Sequence, residues 1–232
     1  MGQDGVMSLD SRPVATTLTA RAVLFDMDGT LVDSTRIVEQ VWTTFAGRYG
    51  LDIEEILRSS HGVQAMDTVR RFAPAGADVH ALAAELGRME LAETRGIVPV
   101  PGALELLASL PPDAVALVTS ASRDLAEVRM AAAGIGVPAA SVTSEDVARG
   151  KPHPEGYLRA AALLGVDPAD AVVFEDAPAG IAAGVAAGIR TVAVGPNAGE
   201  LPEGVLHIPD YSEVSVTTQL TVAGLRTLSF IF

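Results

Sequence analysis

Three short apolar runs of this chain each stop abruptly at polar groups. Residues 22–25 end at Asp26, residues 114–118 at Thr119-Ser120, and residues 171–174 at Glu175-Asp176. Helical patterns separate them, at 102–109, 124–133, 154–164 and 178–187. Strands that are apolar on both faces and alternate with helices build a parallel sheet covered on both sides. Further strands are expected at 141–143, 191–194 and 205–208. The fold class is therefore α/β, a Rossmann-like doubly wound parallel sheet. Such sheets bind ligands beyond the carboxyl ends of their strands. Asp26, Ser120 and Asp176 all lie at such ends, so the fold brings them together across long separations in sequence.

The alternation breaks between residues 35 and 97. Ile37, Val38, Val41, Trp42 and Phe45 recur at helical spacing, as do Val69 and Phe72 and then Leu82, Leu86 and Met89. Three or four helices are expected, with loops near Gly50, His61-Gly62 and Pro74-Ala75-Gly76. The chain leaves the sheet after its first strand and returns at Val98-Pro99-Val100, so residues 35–97 are expected to form an inserted helical cap. Residues 21–34 and 98–232 would then form the core. Residues 1–20 are expected to be a loose leader, and residues 214–232 to add a terminal hairpin or to pair with another copy. Gly180, Gly184 and Gly188 recur four apart, which predicts a helix packed close to the sheet.

Composition removes several function classes. A formal net charge of −13 argues against a nucleic-acid partner, because phosphate backbones demand a basic face. It leaves room for a small anionic substrate, since a local cation reverses the field of one cleft. With no cysteine, the chain has no disulfide, zinc-thiolate site or catalytic thiol. No segment reaches the roughly 18 apolar residues of a membrane span, and the first 20 residues lack the charged and apolar regions of a secretory signal. The expectation is a cytoplasmic protein without membrane or nucleic-acid partners, monomeric or weakly dimeric.

The first strand end carries the chemistry. Asp26 and Asp28 are two apart, so an extended chain points both to one side. Their repulsion, worsened by the apolar approach, calls for compensation, and a hard divalent cation with oxygen ligands supplies it. Gly29 lets the chain turn where a side chain would obstruct it.

Val23-Leu24-Phe25-Asp26-Met27-Asp28-Gly29-Thr30, Thr119-Ser120-Ala121-Ser122, the lysine of Gly150-Lys151-Pro152-His153-Pro154-Glu155, and Phe174-Glu175-Asp176-Ala177-Pro178-Ala179-Gly180 occur in that order. Together they resemble the haloacid dehalogenase superfamily, and within it the small sugar-phosphate and glycerol-phosphate phosphatases. The resemblance implies a phosphoric monoester hydrolase whose partner is a small phosphate ester and whose cofactor is Mg2+. It implies Asp26 as the nucleophile that forms an aspartyl phosphate, and Asp28 as the general acid and base. Asp26, the Asp28 carbonyl and Asp176 would be metal ligands, with Glu175 a further candidate. Ser120 and neighbouring amides such as that of Ala121 would bind the transferring group, and Lys151 would supply fixed positive charge. His61 and Gly62 would line the cap loop over the phosphate.

Two rivals share these features. One is a β-phosphoglucomutase-like phosphosugar mutase. Mutases of that kind carry a cap histidine twelve residues beyond the nucleophile and a cap-loop arginine. This chain has Val38 at the first place and Gln64, Ala65 and Met66 near the second, which favours hydrolysis. The other rival, of a different class, is a non-catalytic phosphometabolite-binding protein on the same scaffold. Arg123, Arg70 and Arg71 are expected on solvated faces, and His153 in a structural role.

Overall fold

The computed structural model describes residues 16–220 and 226–232. Its elements in chain order are β1 (Thr17–Ala20), β2 (Ala22–Phe25), β3 (Val32–Asp33), α1 (Thr35–Tyr49), α2 (Ile53–Ser60), α3 (Ala65–Phe72), α4 (Val79–Ala92), β4 (Val98–Pro99), α5 (Ala103–Ser109), β5 (Val115–Val118), α6 (Arg123–Ala132), β6 (Ala140–Val142), α7 (Glu155–Leu163), β7 (Ala171–Glu175), α8 (Pro178–Ala186), β8 (Arg190–Val194), β9 (Leu206–Ile208), β10 (Ser215–Leu220) and β11 (Arg226–Ile231).

Six strands form one parallel sheet in the order β6-β5-β2-β7-β8-β9. The strand carrying Asp26 lies inside it, flanked by β5 and β7, the strands that end at Ser120 and Asp176. Alternate residues of β2 serve opposite faces. Val23 and Phe25 pack with α5, α6 and Tyr211, whereas Leu24 packs with Tyr157, Ala160 and Ala161 of α7 and Ala183 of α8. All four residues of β2 are fully buried, which is why the run carries no alternation in sequence.

Four helices, α1 to α4, intervene between β3 and β4, and those two short strands pair antiparallel where the chain leaves and re-enters the core. This is the arrangement the resemblance implies, a parallel core sheet with an inserted set of helices. Ile37, Val41, Trp42, Phe45, Ile56, Val69, Leu82 and Leu86 are buried in one cluster that continues into the core.

Two expectations change. The leader assigned to residues 1–20 ends sooner, because Thr17–Ala20 form β1 with Leu18 and Ala20 buried and the threonines outward. Its first 15 residues lie outside the described part of the chain. β1 pairs antiparallel with β11, which pairs with β10, so the terminal hairpin becomes a three-stranded sheet. Leu228 and Phe230 of that sheet are buried, Phe230 at 5.8 Å between ring centroids from Phe174. Burial of one face against the core holds together the two ends of the chain.

The glycines of α8 also divide. A Cβ on Gly180 would lie 1.5 Å from Glu175 Oε1, and one on Gly184 would lie 2.6 Å from Thr191 Oγ1. These two permit the close helix–sheet approach. Gly188 instead makes a turn after the helix, with φ +71° and open space around it.

Candidate active site

Asp26 leaves the end of β2 with only 5% of its surface exposed, and its backbone amide donates to the Phe174 carbonyl at 3.0 Å. Lys151 Nζ donates to Asp26 Oδ1 at 2.5 Å, to Glu175 Oε1 at 2.6 Å and to the Val118 carbonyl at 3.1 Å. One ammonium thus joins the ends of β2, β5 and β7. Its neighbours Asp26 and Glu175 keep it charged despite its burial.

Glu175 is fully buried and its oxygens are taken. Oε1 accepts from Lys151 and from the Tyr157 hydroxyl at 3.1 Å, and Oε2 accepts from the Ala177 amide at 2.9 Å. Asp176 differs: among the described residues no hydrogen bond satisfies its carboxylate. Asp26, Glu175 and Asp176 each offer an oxygen within 4.8 Å of the others. Burial and then the charge of Glu175 and Asp26 push Asp176 well above the ordinary carboxylate range. Burial pushes Asp26 up to about 7, with Glu175 adding and Lys151 opposing. Three buried carboxylates share one ammonium, so the cluster favours a further cation.

Gly29 makes this geometry possible. Its φ is +82°, and a Cβ there would lie 2.0 Å from Asp176 Oδ2. The turn is closed by Gly29 and Val32, whose amide and carbonyl meet at 2.7 Å.

Asp28 faces a different set of partners. Ser34 Oγ donates to its Oδ1 at 2.5 Å and Arg129 to its Oδ2 at 2.9 Å. Ser34 occupies the N-cap position of α1 but makes no side-chain cap there; its hydroxyl serves Asp28 instead. Arg129 belongs to α6 and is 3% exposed. Its other terminal nitrogen donates at 3.0 Å to Glu90 Oε1, on the cap helix α4. Burial raises the Glu90 carboxyl against the opposing pull of Arg129.

Above these residues lies a cavity lined from below by Asp26, Asp28, Ser120, Ala121 and Asp176 and from above by Val38, Trp42, Ser60, His61, Val63 and Ala65. Ser120 Oγ donates to the Gly62 carbonyl at 2.8 Å, fastening the cap loop to the core. The Ala121 amide donates to Thr119 Oγ1 at 3.0 Å. A Cβ on Gly62 would come within 2.9 Å of Ala177 Cβ, so this loop seats directly on the start of α8.

The fold therefore gathers Asp26, Asp28, Ser120, Ala121, Asp176, His61 and Gly62 around one cavity, with Lys151 and Glu175 behind Asp26. Arg123 lies apart, on an exposed ion pair with Asp146 at 3.0 Å. His153 Nδ1 accepts from the Glu155 amide at 3.2 Å, which orders its own loop. Arg70 and Arg71 form exposed pairs with Asp67 and Glu55.

Arg129 and Glu90 escaped the reading of the sequence, though a signal was present. Leu125, Ala126, Arg129 and Met130 are the buried positions of α6, and Leu82, Leu86 and Glu90 those of α4. A charge on an apolar helical stripe calls for a buried partner, and each of these two is the other's.

Residues 20–188 match the family of haloacid dehalogenase-like hydrolases. Hexitol phosphatase A of Escherichia coli is 42% identical over 208 residues, 87% of this chain and 96% of that protein. Glycerol-1-phosphate phosphohydrolase 2 of Saccharomyces cerevisiae is 38% identical, over 81% of this chain and 79% of that one. The β-phosphoglucomutase of Clostridium difficile superimposes with a TM-score of 0.72 at 24% identity, over 84% of this chain and 92% of that chain, a likeness of fold alone. Strand ends, cap placement and sequence agree: the chain belongs to the haloacid dehalogenase-like hydrolase family.

Proposed function

We propose that this phosphoric monoester hydrolase removes phosphate from a small sugar or polyol phosphate, through a covalent phosphoenzyme on Asp26 and with Mg2+ as its resident ion. The observation that carries the reading is the buried group of Asp26, Asp176 and Glu175 around Lys151, at the floor of a cavity that the cap covers.

The donor set fits a hard cation. Asp26 and Asp176 offer carboxylate oxygens, and the Asp28 carbonyl lies two residues beyond Asp26. Glu175 was also a candidate ligand, but its hydrogen bonds to Lys151, Tyr157 and Ala177 suit it better to holding the lysine. A bound magnesium ion would neutralise charge on the phosphoryl group and let a carboxylate approach a dianion.

Asp26 attacks phosphorus, forming a new oxygen–phosphorus bond as the ester oxygen–phosphorus bond breaks. Asp28 gives its proton to the departing alkoxide. Water then attacks the phosphoenzyme while Asp28 takes back a proton, releasing phosphate and restoring Asp26. Lys151 fixes the position of Asp26 and supplies charge to the transferring group. Ser120 and the amides around it complete the phosphate cradle, and His61 and Gly62 close the cavity from the cap.

The roof of the cavity favours hydrolysis over mutation of a phosphosugar. Val38 and Ala65 line it where the mutase resemblance would require basic groups. Arg129, the one arginine lining the cavity among the described residues, is already held by Asp28 and Glu90. Ser60 Oγ is buried without a partner among the described residues, and Ser60 lines the cavity. It suits a leaving group that carries hydroxyls, in keeping with the hexitol and glycerol phosphates named for the relatives.

A panel of hexitol phosphate, glycerol phosphate, 2-deoxyglucose 6-phosphate and β-glucose 1-phosphate tests the reading. Magnesium-dependent release of inorganic phosphate is expected, and Asp26→Asn should abolish it, by about 10⁴-fold or more. Isomerised sugar phosphate with little free phosphate would favour the mutase, and an Asp26→Asn enzyme with unchanged turnover would remove the nucleophile.

A further inference from the structure

Arg129 and Glu90, linked to Asp28 through the guanidinium, have no part in the reaction as derived so far. They join the proton-transfer residue to a core helix and then to the cap, and the side chains of Asp28, Arg129 and Glu90 are 28%, 4% and 9% exposed. We propose that Arg129 is the positioning residue that fixes which oxygen of Asp28 exchanges the proton, and that Glu90 sets Arg129 only while the cap helix α4 is docked on α6.

The argument begins with donor chemistry. A guanidinium has five donors and no acceptor. The oxygen of Asp28 that Arg129 holds, Oδ2, therefore cannot direct a proton toward it. Ser34 holds the other oxygen, Oδ1, and a hydroxyl both donates and accepts. Donation from a cation makes Oδ2 the less basic oxygen, so the transferable proton is favoured on Oδ1, beside a hydroxyl that can turn to accept or donate. An aspartate with both oxygens free would deliver its proton in two orientations, only one of them productive.

The second half follows from placement. Arg129 occupies a buried position on α6 beside Leu125 and Met130, in the last turn, where cationic charge is favoured by the helix dipole. One terminal nitrogen reaches Asp28 and the other reaches Glu90. The planar fork fixes both distances at once, which a lysine point charge cannot do. Glu90 arrives from the opposite side of the cavity, on the cap. Undocking α4 removes that carboxylate and releases the guanidinium to follow either partner. The proton-transfer geometry is then complete only over a covered cavity, so that Asp28 is not aligned to serve an unproductive encounter.

This inference rests on the assignment of Asp28 as general acid and base, and the test separates the two. The readout is the rate of phosphoenzyme formation in a single turnover, compared between glycerol phosphate, whose alkoxide needs a proton, and p-nitrophenyl phosphate, whose leaving group does not. General-acid contributions are about 10²–10⁴-fold, so Asp28→Asn should lose about that much on glycerol phosphate and far less on the aryl ester. Arg129→Lys should show the same selectivity in milder form, about tenfold on the alkyl ester and within about threefold on the aryl ester. Glu90→Gln should act in the same direction, and its effect should not multiply with that of Arg129→Lys, because the two serve one function. The paired substitution Glu90→Gln with Arg129→Met removes both buried charges together, and so provides a folded variant should a single change leave a buried charge uncompensated. The concentration of Mg2+ giving half activity should stay unchanged throughout.

Equal losses on both esters in the Arg129 and Glu90 variants, with selective loss in Asp28→Asn, would overturn the inference and leave a structural fastening of the cap. Equal losses in Asp28→Asn as well would overturn the acid–base assignment itself.

Discussion

The floor and the roof of the cavity are built on opposite plans. The floor is a set of strand ends: Asp26, Glu175, Asp176 and Lys151 are each 6% exposed or less, and Lys151 alone makes three hydrogen bonds. The roof is made of helix faces and one loop, with Val38, Trp42, Val63 and Ala65 beside Ser60 and His61. Among the described residues its polar ties to the core are the Ser120–Gly62 bond and the Arg129–Glu90 pair. An over-determined floor serves one reaction for any ester, whereas a sparsely tied apolar roof sets which ester fits. Changes to this group of strand ends should therefore cost activity evenly across the alkyl esters of the panel, and changes to the roof should alter their ranking.

Apart from loss of Asp26 or Asp28, the largest effect expected comes from Gly29→Ala. The added methyl would meet Asp176 Oδ2 at 2.0 Å, on a backbone with φ +82° that side chains rarely adopt. Either the turn or Asp176 must move by about an ångström, and such displacements cost on the order of 10²-fold in rate. The loss should be similar for every ester in the panel, with weakened Mg2+ activation. A change in substrate ranking instead would break the division between floor and roof.

Next is a dependence of stability on pH. Asp26 has its carboxyl raised to about 7, chiefly by burial, and Asp176 is raised in the same direction. Between about pH 4 and pH 7 the folded state binds more protons than the unfolded chain. The metal-free protein should thus be more stable at the acid end of that window and lose stability as pH rises through it. For Asp26 the loss is on the order of a few kcal/mol. Asp26→Asn should flatten the dependence, and Mg2+ should restore stability most at pH 7, where it displaces fewest protons. Thermal melts over pH, with and without the ion, read both. A metal-free protein whose melting temperature climbs from pH 5 to pH 7 would contradict the charge imbalance at the floor.

The same contrast explains what the sequence reveals and what it hides. The runs ending at Asp26, Ser120 and Glu175-Asp176 are legible because each functional group lies at or within two residues of the end of its own strand. Helices α1, α3 and α4 are legible because apolar residues recur along them at helical spacing. Arg129 lies 101 residues from Asp28 and 39 from Glu90, so no local window contains the interaction. Only the oddity of a charge on a buried stripe marks it. β1 was read as leader for a related reason: two buried residues in four give little period, and its partner β11 lies at the far end of the chain. Glu175 and Asp176 look alike as neighbouring acids. Packing separates them, by turning one under α8 toward Lys151 and Tyr157 and leaving the other unbonded among the described residues.

Val38→Ala tests the roof. Val38 is partly buried in the cap and lines the cavity. Removing two methyl groups enlarges the space for a leaving group without touching the floor. One or two carbons in an apolar pocket change discrimination by roughly 10- to 200-fold, and the lower end is expected here because the site is only partly enclosed. The kcat/KM for a deoxyhexose phosphate should gain on that for glycerol phosphate by about tenfold, with Mg2+ activation unchanged. A uniform change across the panel would mean that the roof takes part in the chemistry.

The smallest effect sharpens the comparison along a single helix. Arg123 and Arg129 both belong to α6, yet Arg123 at its start keeps 47% of its side chain exposed in the pair with Asp146, while Arg129 keeps 4% beside Asp28. Exposed pairs contribute about 0–1 kcal/mol because water screens them and two long side chains must be ordered. Arg123→Ala should therefore leave kcat/KM within about twofold for every ester and stability within about 1 kcal/mol. Substitutions at Arg129 should discriminate between alkyl and aryl esters. If Arg123→Ala reproduced that discrimination, charge anywhere on α6 would suffice, and contact with Asp28 would lose its special standing.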